Sequence, residues 1–509
     1  MKWTKEAEIS ISKIPGFIRG MIKQQVLKIA KEKGLTEITK EFLEEVRTTH
    51  GVHSKGKNLE QRKPKTIDDF YANTGKSPIY AGFKNKVSVH AGMSGTPIDD
   101  SSKIWDIVKN KKSQSAKTAL YIHIPFCVAR CKFCSFYQSK TNCNELDKYA
   151  EYLVRELELV SESLYAQSAT INAIYFGGGT PTDLSADALR KILSHLNNNW
   201  NLANDCEITI EGRIHGFSDD KVSVCIDNGV NRFSFGVQSF DTKIRQQMGR
   251  IETQETVLKR IAEIAKLNKA NISVDLIYGL PDQTKEIWLN DIETAAKNKA
   301  IDSASIYSLK FIPGSPIKPL VEKGKLSEPA SKNEQAGLFL ETNKYFNIVN
   351  AKRLGLRHWA FSNRERSIYN FIAKYEYDCI PIGNSAGGMI NRYRILQRME
   401  MEDYYAKITN SEKPIAISLK IPSKNNFTGA MIGSMEEFLQ IDFNAIAKDF
   451  DIPDLVGRYT PLFEQWQEAG MISFNKKYGI MKLTEAGEFY NVNIAQNLVD
   501  FNKWSLNAK

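Results

Sequence analysis

Cys127, Cys131 and Cys134 stand in a C-x3-C-x2-C spacing directly after the apolar run Tyr121-Ile-His-Ile-Pro-Phe. Three thiolates this close in the chain can hold three irons of a cubane 4Fe–4S cluster. Such clusters ordinarily take four cysteines, so a set of three leaves one iron open to chelate a small molecule, as an open zinc position does. A zinc site with its fourth ligand elsewhere in the chain, or a chance grouping, are the competing readings of these residues alone.

A second set of candidates is spread along the chain. Gly177-Gly-Gly-Thr-Pro-Thr182 could admit a ligand close to the backbone, because no Cβ stands in the way; by itself it also reads as a turn. Glu211, Gln238 and Asp275 fall at or just past the ends of apolar strand-like runs, and Arg250 follows one of them. Together they would form a rim of donors and acceptors suited to a zwitterionic nucleoside. His50, His53 and His90 are available as ligands, but histidines in polar surroundings of this kind read better as surface loop residues.

These residues need elements to position them. Strand patterns at Ala119–Ile124, Ala173–Phe176, Glu207–Glu211, Arg232–Gly236, Asn271–Ile277 and Ala304–Leu309 alternate with helical patterns at Leu146–Ser163, Ser185–Asn197, Asp219–Asn228, Thr253–Leu267 and Lys285–Asn298. Six βα units in succession predict a parallel sheet. Its ligands gather at the C-terminal ends of the strands, where the cysteine loop falls.

We expect five stretches. Residues 1–50 read as a small helical unit: Thr4 and Thr39 are helix N-caps, apolar spacing continues from Phe17 to Ala30, and Gly34 ends that helix. Residues 51–114 read as a linker and irregular extension, 115–330 as the βα core, and 331–410 as a core extension carrying Ile380-Pro-Ile-Gly-Asn-Ser-Ala-Gly-Gly388. Residues 411–509 read as a winged-helix-like α/β unit.

Composition sets the class. The 509 residues, 42% hydrophobic and 25% charged, fit a soluble multidomain protein. No apolar run is long enough to span a membrane, the start has no apolar signal core, and seven cysteines with three clustered are no disulfide framework; a reducing cytoplasm is expected. Residues 1–118 hold 23 Lys/Arg against 13 Asp/Glu, and the remainder 46 of each, so the net charge of +10 lies in the leader. A basic leader suits an acidic partner or an anionic small molecule. Without interleaved aromatics it does not suit nucleic acid.

The whole set resembles the radical S-adenosylmethionine superfamily, in the branch of the oxygen-independent coproporphyrinogen III dehydrogenases. The carrying residues are Tyr121 to Cys134, Gly177 to Thr182, Gly229-Val-Asn-Arg232, Gly236-Val-Gln-Ser-Phe240, Asp275-Leu-Ile-Tyr-Gly-Leu-Pro281 and Phe311-Ile-Pro-Gly-Ser-Pro316. The resemblance implies a partial (β/α)6, TIM-like barrel. It also implies a 4Fe–4S cluster on Cys127, Cys131 and Cys134, with S-adenosylmethionine chelating the open iron and cleaved to a 5′-deoxyadenosyl radical. Gly178, Gly179 and Thr180 would meet its methionine part, and Glu211, Gln238, Arg250 and Asp275 its methionine and ribose groups. Tyr121 and Phe133 would pack beside cluster and cofactor. The resemblance assigns no catalytic residue.

Within the branch, Phe136 stands where the dehydrogenases carry one more cysteine, which lowers the case for coproporphyrinogen oxidation. Phe70-Tyr-Ala-Asn-Thr-Gly75, His90-Ala-Gly-Met-Ser-Gly-Thr-Pro97, Cys134-Ser-Phe-Tyr-Gln138 and Pro381 to Gly388 resemble the anaerobic haem-degrading radical methyltransferases (the HutW/ChuW type). Residues 3–39 resemble a small domain of a dark-operative protochlorophyllide reductase subunit. The implied substrate is haem or another tetrapyrrole, and the implied electron donor a flavodoxin or ferredoxin. Gly383–Gly388 would admit the substrate or a second S-adenosylmethionine, if not simply a turn. A haem chaperone of the same branch is the alternative.

Overall fold

The computed structural model describes residues 2–507 except 13–22, 24–25, 28, 31–32, 51–65, 85, 88–95, 99, 135–138, 141–142, 312–314, 376 and 422–426. His53, His90 and Phe136 therefore lie outside the described residues, as does the whole run from Phe17 to Ile22.

Six parallel strands form where the sequence places them: β1 (Thr118–Ile124), β2 (Ile171–Gly178), β3 (Leu202–Gly212), β4 (Arg232–Gln238), β5 (Asn271–Tyr278) and β6 (Ser303–Ser308). The helices between them, Cys143–Ser161, Ala186–Asn199, Asp219–Asp227, Gln254–Lys266 and Lys285–Lys297, match the expected ones to within three residues at each end. Side-chain N-caps explain several starts: Ser185, Thr253 and Thr284 each accept from the backbone N–H three residues on.

The sheet continues beyond the six. β7 (Lys352–Arg353) and β8 (His358–Ala360) extend it antiparallel past β6. On the other side β9 (Asp378–Ile382) lies parallel to β1, followed by β10 (Gly387–Ile390), β11 (Tyr393–Gln397) and β12 (Ile415–Lys420), all antiparallel. The spatial order is β7-β8-β6-β5-β4-β3-β2-β1-β9-β10-β11-β12, with Thr96–Pro97 on the last edge. It does not close on itself, so the architecture is a partial barrel in an α/β fold.

Each central strand has one apolar and one polar face. Leu120, Ile122, Phe176, Ile208, Ile210, Phe233, Phe235, Ile272, Val274 and Ile306 belong to the main core shared with the helices. The opposite residues run in register across the concave face. Tyr121, Tyr175, Thr209, Arg232 and Asn271 make one row, Glu211, Ser234, Ser273 and Ser303 the next, and Gly236, Asp275, Ser305 and His358 a third. Parallel sheets are ordinarily apolar on both faces; a polar inner face lines a cavity.

Residues 427–507 have their own core around Trp466, Tyr459, Phe463 and Tyr490. Their elements run helix, strand, helix, helix, strand, strand (Phe427–Phe438, Gln440–Asp442, Phe443–Asp449, Leu455–Glu468, Ile472–Asn475, Ile480–Leu483). Residues 66–84, within the stretch expected as linker and irregular extension, contribute to this unit. Phe70, Ile79 and Phe83 are buried in this same core, and Trp466 Nε1 donates to the Phe70 carbonyl at 3.0 Å. At the start of the chain, Thr4 and Thr39 accept from Ala7 N and Phe42 N as caps, and Gly34 takes a left-handed φ of 69° at its helix end.

Candidate active site

The cysteine loop leaves the end of β1 and is pinned to the ends of its neighbours. Gly179 N donates to the Ile124 carbonyl at 2.6 Å and Thr180 N to the Phe126 carbonyl at 2.8 Å. A Cβ on Gly179 would stand 2.2 Å from the Phe126 oxygen, so only glycine permits this approach. Further along, Val128 N donates to Asp183 (3.0 Å), Arg213 to the Ala129 carbonyl (2.8 Å) and Lys132 N to the Met248 carbonyl (3.1 Å). The loop is thus tied to the ends of β2 and β3 and to Met248, at the end of the short helix that follows β4.

Cys127 and Cys131 are buried and Cys134 half-buried, all as free thiols. Thr180 Oγ1 donates to Cys127 Sγ at 3.3 Å. Burial raises the Cys127 thiol, while the Thr180 hydroxyl and Arg213 favour its thiolate. Among the described residues no group of three Cys, His, Asp or Glu is drawn together tightly enough to hold one metal ion. A cubane cluster binds each thiolate through a different iron, so its ligands stand farther apart than those of a single ion. Buried Arg250 carries a guanidinium influenced by all three cysteines, its Nε has no partner, and it stands 6.0 Å from the Phe133 ring centre. Phe133 itself packs on Ile244, Met248, Leu280 and Leu309, which anchors the loop. Three free thiols on a braced loop, with a guanidinium to balance thiolate charge, fit a cluster.

The remaining candidates line the concave face. Glu211 lies in the interior with Tyr175 Oη donating to it at 3.4 Å. Burial, with Asp275 adding repulsion, pushes its carboxyl up to about 8. Burial also raises Asp275, with Arg232, Ser305, His358 and Arg250 working against that rise. Gln238 sits at the end of β4 in a left-handed conformation, φ 73°, where the β4–β5 register slips. Such backbone in a non-glycine residue stores strain that the surroundings must hold. A Cβ on Gly236 would stand 2.7 Å from Gln238 Nε2 and 3.1 Å from Arg250. On Gly178, at φ 105°, one would meet the His123 ring. Glu211, Gln238, Arg250 and Asp275 thus stand near one another on the concave side of the sheet.

Apart from Tyr121, several residues there carry no signal in the sequence. His123 alternates with Tyr121 on β1 and is hydrogen-bonded to it at 2.9 Å, while its Nε2 has no partner; burial pulls it down to about 4. Tyr121, Tyr175 and Tyr369 stack in the lower interior, with ring centres 4.4 to 6.4 Å apart. Beneath Asp275 a chain runs from Ser305 to His358 Nδ1 (3.0 Å), from His358 Nε2 to Glu365 (3.5 Å) and from Glu365 to Arg232 (3.1 Å). Burial works to raise Glu365, but Arg232 and His358 outweigh it and hold the acid well below the usual range. His358 comes from β8 and Glu365 from the loop after it, so only tertiary structure joins them to β4 and β6.

The glycine-rich segment serves packing at two of its positions. A Cβ on Gly388 would meet the Cys379 carbonyl at 2.1 Å, and one on Gly383 the His123 carbonyl at 2.6 Å. Gly383 N donates to Glu156, which also pairs with fully buried Lys413 at 2.6 Å. Gly387 and Gly388 both line a cleft of about 380 Å³ beside Tyr369 and Arg394.

A partial barrel with a three-cysteine loop on its rim and acids, amide and guanidinium inside it is the arrangement expected from the resemblance to radical S-adenosylmethionine enzymes. The comparisons agree. Residues 121–295 match the Radical SAM superfamily, and residues 3–47 match the Proto-chlorophyllide reductase 57 kD subunit. The chain is 31% identical to anaerobilin synthase of Escherichia coli O157:H7, over 82% of this chain and 92% of that one. It is 25% identical to an oxygen-independent coproporphyrinogen III oxidase of Helicobacter pylori, over 79% and 89%. To the heme chaperone HemW of Bacillus subtilis it is 33% identical, over 42% and 56%. The solved coproporphyrinogen III oxidase (HemN) of Escherichia coli superposes with a TM-score of 0.69 at 19% identity, covering 82% of this chain and 97% of that one; it shares the fold. This chain belongs to the radical S-adenosylmethionine superfamily, in the branch that holds these tetrapyrrole-related relatives, and it is an enzyme of that superfamily. The superfamily implies a 4Fe–4S cluster and S-adenosylmethionine. No helix among the described residues is long and apolar enough to cross a membrane.

Proposed function

We propose that the protein opens the porphyrin ring of haem without oxygen, acting as a radical methyltransferase that yields a linear methylated tetrapyrrole and releases iron. The observation that carries this reading is the likeness to anaerobilin synthase over 82% of this chain and 92% of that one.

In this reading Cys127, Cys131 and Cys134 hold the cluster. With S-adenosylmethionine on its open iron, the cluster supplies reductive cleavage of that cofactor, with electrons from a flavodoxin- or ferredoxin-type donor. The chain's own residues bind, orient and exclude water. The Thr180 hydroxyl and the Arg213 and Arg250 guanidinium groups balance thiolate charge. Gly178, Gly179 and Thr180 leave backbone polar groups near the methionine part. Glu211, Asp275, Gln238 and Arg250 take up the ammonium, carboxylate and ribose groups. Glu211 is protonated at neutral pH before a cation arrives, because burial and Asp275 hold it at about 8, and a bound cation favours its ionisation. The stacked Tyr121, Tyr175 and Tyr369 floor the cavity beneath the reacting groups.

The test is anaerobic incubation of the reconstituted protein with haem, S-adenosylmethionine and a reductant. Loss of the Soret band with a methylated linear product by mass spectrometry is expected. Haem that stays bound and intact while S-adenosylmethionine is cleaved would overturn the proposal and favour a chaperone. Turnover of coproporphyrinogen to protoporphyrinogen would favour the dehydrogenase.

A further inference from the structure

A small cavity of about 50 Å³ lies beside the C-terminal end of β6, with Tyr307, Lys86, Lys310, Arg357, Asn491 and Glu488 among its lining residues. Its three cations arrive from three parts of the chain: Lys86 from the basic leader, Lys310 from just after β6, and Arg357 from just before β8. Burial pulls Lys86 down to about 7, and Lys310 and Arg357 add to the fall. Lys310 drops to about 8 by burial and by Arg357, with Glu436 offsetting part of it. The acid in the wall is already engaged: Glu488 accepts from Arg353 at 2.8 Å and from Asn343 at 3.3 Å. Lys86 Nζ stands 3.4 Å from the Phe489 ring centre, and Arg357 donates to Asn491 at 3.2 Å.

Cationic groups crowded in a partly buried space repel one another and lose hydration, so Lys86 gives up part of its charge near neutral pH. An anion among them reverses both costs, through charge-assisted hydrogen bonds. The space is on the scale of a carboxylate and far below that of a macrocycle, so only an arm of a larger molecule would enter. Tyr307 shows where the rest would lie. It borders this cavity, its phenol is influenced by Asp275 and Glu211 from the barrel interior, and its side chain is still 41% exposed. One tyrosine therefore separates the cation cluster from the acids of the cofactor rim. We propose that Lys86, Lys310 and Arg357 grip a carboxylate arm of the substrate, laying its ring across the barrel mouth over Tyr307. This rests on the tetrapyrrole reading above, because haem carries two propionate arms.

The experiment is anaerobic titration of the reconstituted full-length protein with haem and with haem dimethyl ester, which lacks the charges but keeps the ring. Wild type should bind haem at least tenfold more tightly than the diester. Lys310→Ala, Arg357→Ala and Lys86→Ala should each weaken haem about tenfold and leave the diester affinity unchanged, which also reports an intact fold. Lys310→Arg, which keeps the charge, should keep the preference. Equal affinity of wild type for both ligands, or a preference that survives all three alanine variants, overturns the proposal. If wild type binds neither form of haem, the tetrapyrrole-opening reading fails by itself. The same titrations with coproporphyrin III and its tetramethyl ester then decide the pocket: a preference for the free acid that the alanine variants lose sustains it, and none refutes it.

Discussion

Replacing Glu211 by Gln should stabilise the cofactor-free protein and weaken its hold on S-adenosylmethionine. The folded carboxyl titrates at about 8 against an ordinary 4.5, raised by burial and then by Asp275. Below about pH 4.5 it is neutral whether the chain is folded or unfolded, so it contributes no pH dependence. Between 4.5 and about 8 the folded state binds the extra proton, so stability falls as pH rises. The interval of about 3.5 pH units, at ~1.36 kcal/mol each, sets a ceiling of ~5 kcal/mol. Water entering the open side of the cavity screens part of it, and we expect ~2 kcal/mol. Gln cannot ionise and relieves the repulsion on Asp275. The advantage of Glu211→Gln, measured by urea unfolding of cluster-free protein under reductant, should therefore grow from near zero at about pH 5 to ~2 kcal/mol at about pH 8.5. A difference that stays flat across that range would refute the reasoning. In the reconstituted protein at neutral pH or above, the same variant should bind S-adenosylmethionine at least tenfold more weakly, since a neutral amide replaces a carboxyl that would ionise beside the bound cation.

Cys131→Ala should abolish the cluster, read as iron and acid-labile sulfide content; a full 4Fe–4S signal in the variant would sink the ligand assignment. Gly179→Ala puts a methyl group against the Phe126 and Ile124 carbonyls at 2.2 and 2.8 Å. It should cost about 2–4 kcal/mol by urea midpoint and lower cluster incorporation, because backbone cannot swing aside as a side chain can. Arg232→Met leaves buried Glu365 without its cation and should cost about 3–5 kcal/mol by the same measure. Adding Glu365→Gln should recover part of that loss, and no recovery would mean the pair is not coupled as described.

The six βα units were legible because each rests on local pattern, and the cysteine loop and rim residues were assigned from local pattern too. Cysteine spacing, the glycine triplet and polar residues at strand ends are all read within one unit. β9 was not legible. Gly383–Gly388 read as a close approach to a ligand or as a plain turn, yet Gly388 is glycine because its strand approaches the Cys379 carbonyl. His358 and Glu365 gave no signal because their partners, Ser305 and Arg232, are 53 and 133 residues away in the chain. The stacked tyrosines are separated likewise, and Tyr369 reaches the stack from a helix that the sequence pattern did not reveal. The polar inner face was present in the sequence as the alternation Ile272-Ser-Val-Asp-Leu276, but a strand with one polar face is ordinarily a solvent-exposed antiparallel one. Phe136, informative in the sequence, lies outside the described residues.

The tie between the leader and the far end of the chain bears on how the protein is made. Val87 N donates to Asn493 across 406 residues, and Gln465 Nε2 to the Ala72 carbonyl across 393. Contacts of such separation close late, after the entropy of a very long loop has been overcome. Synthesis runs from the N-terminus, so β1 to β6 and the cysteine loop emerge well before residue 493. The barrel can therefore assemble its rim while Lys86 still waits for its wall. The cofactor end of the site is complete in a shorter chain than the carboxylate cradle, which exists only once the last helix has docked.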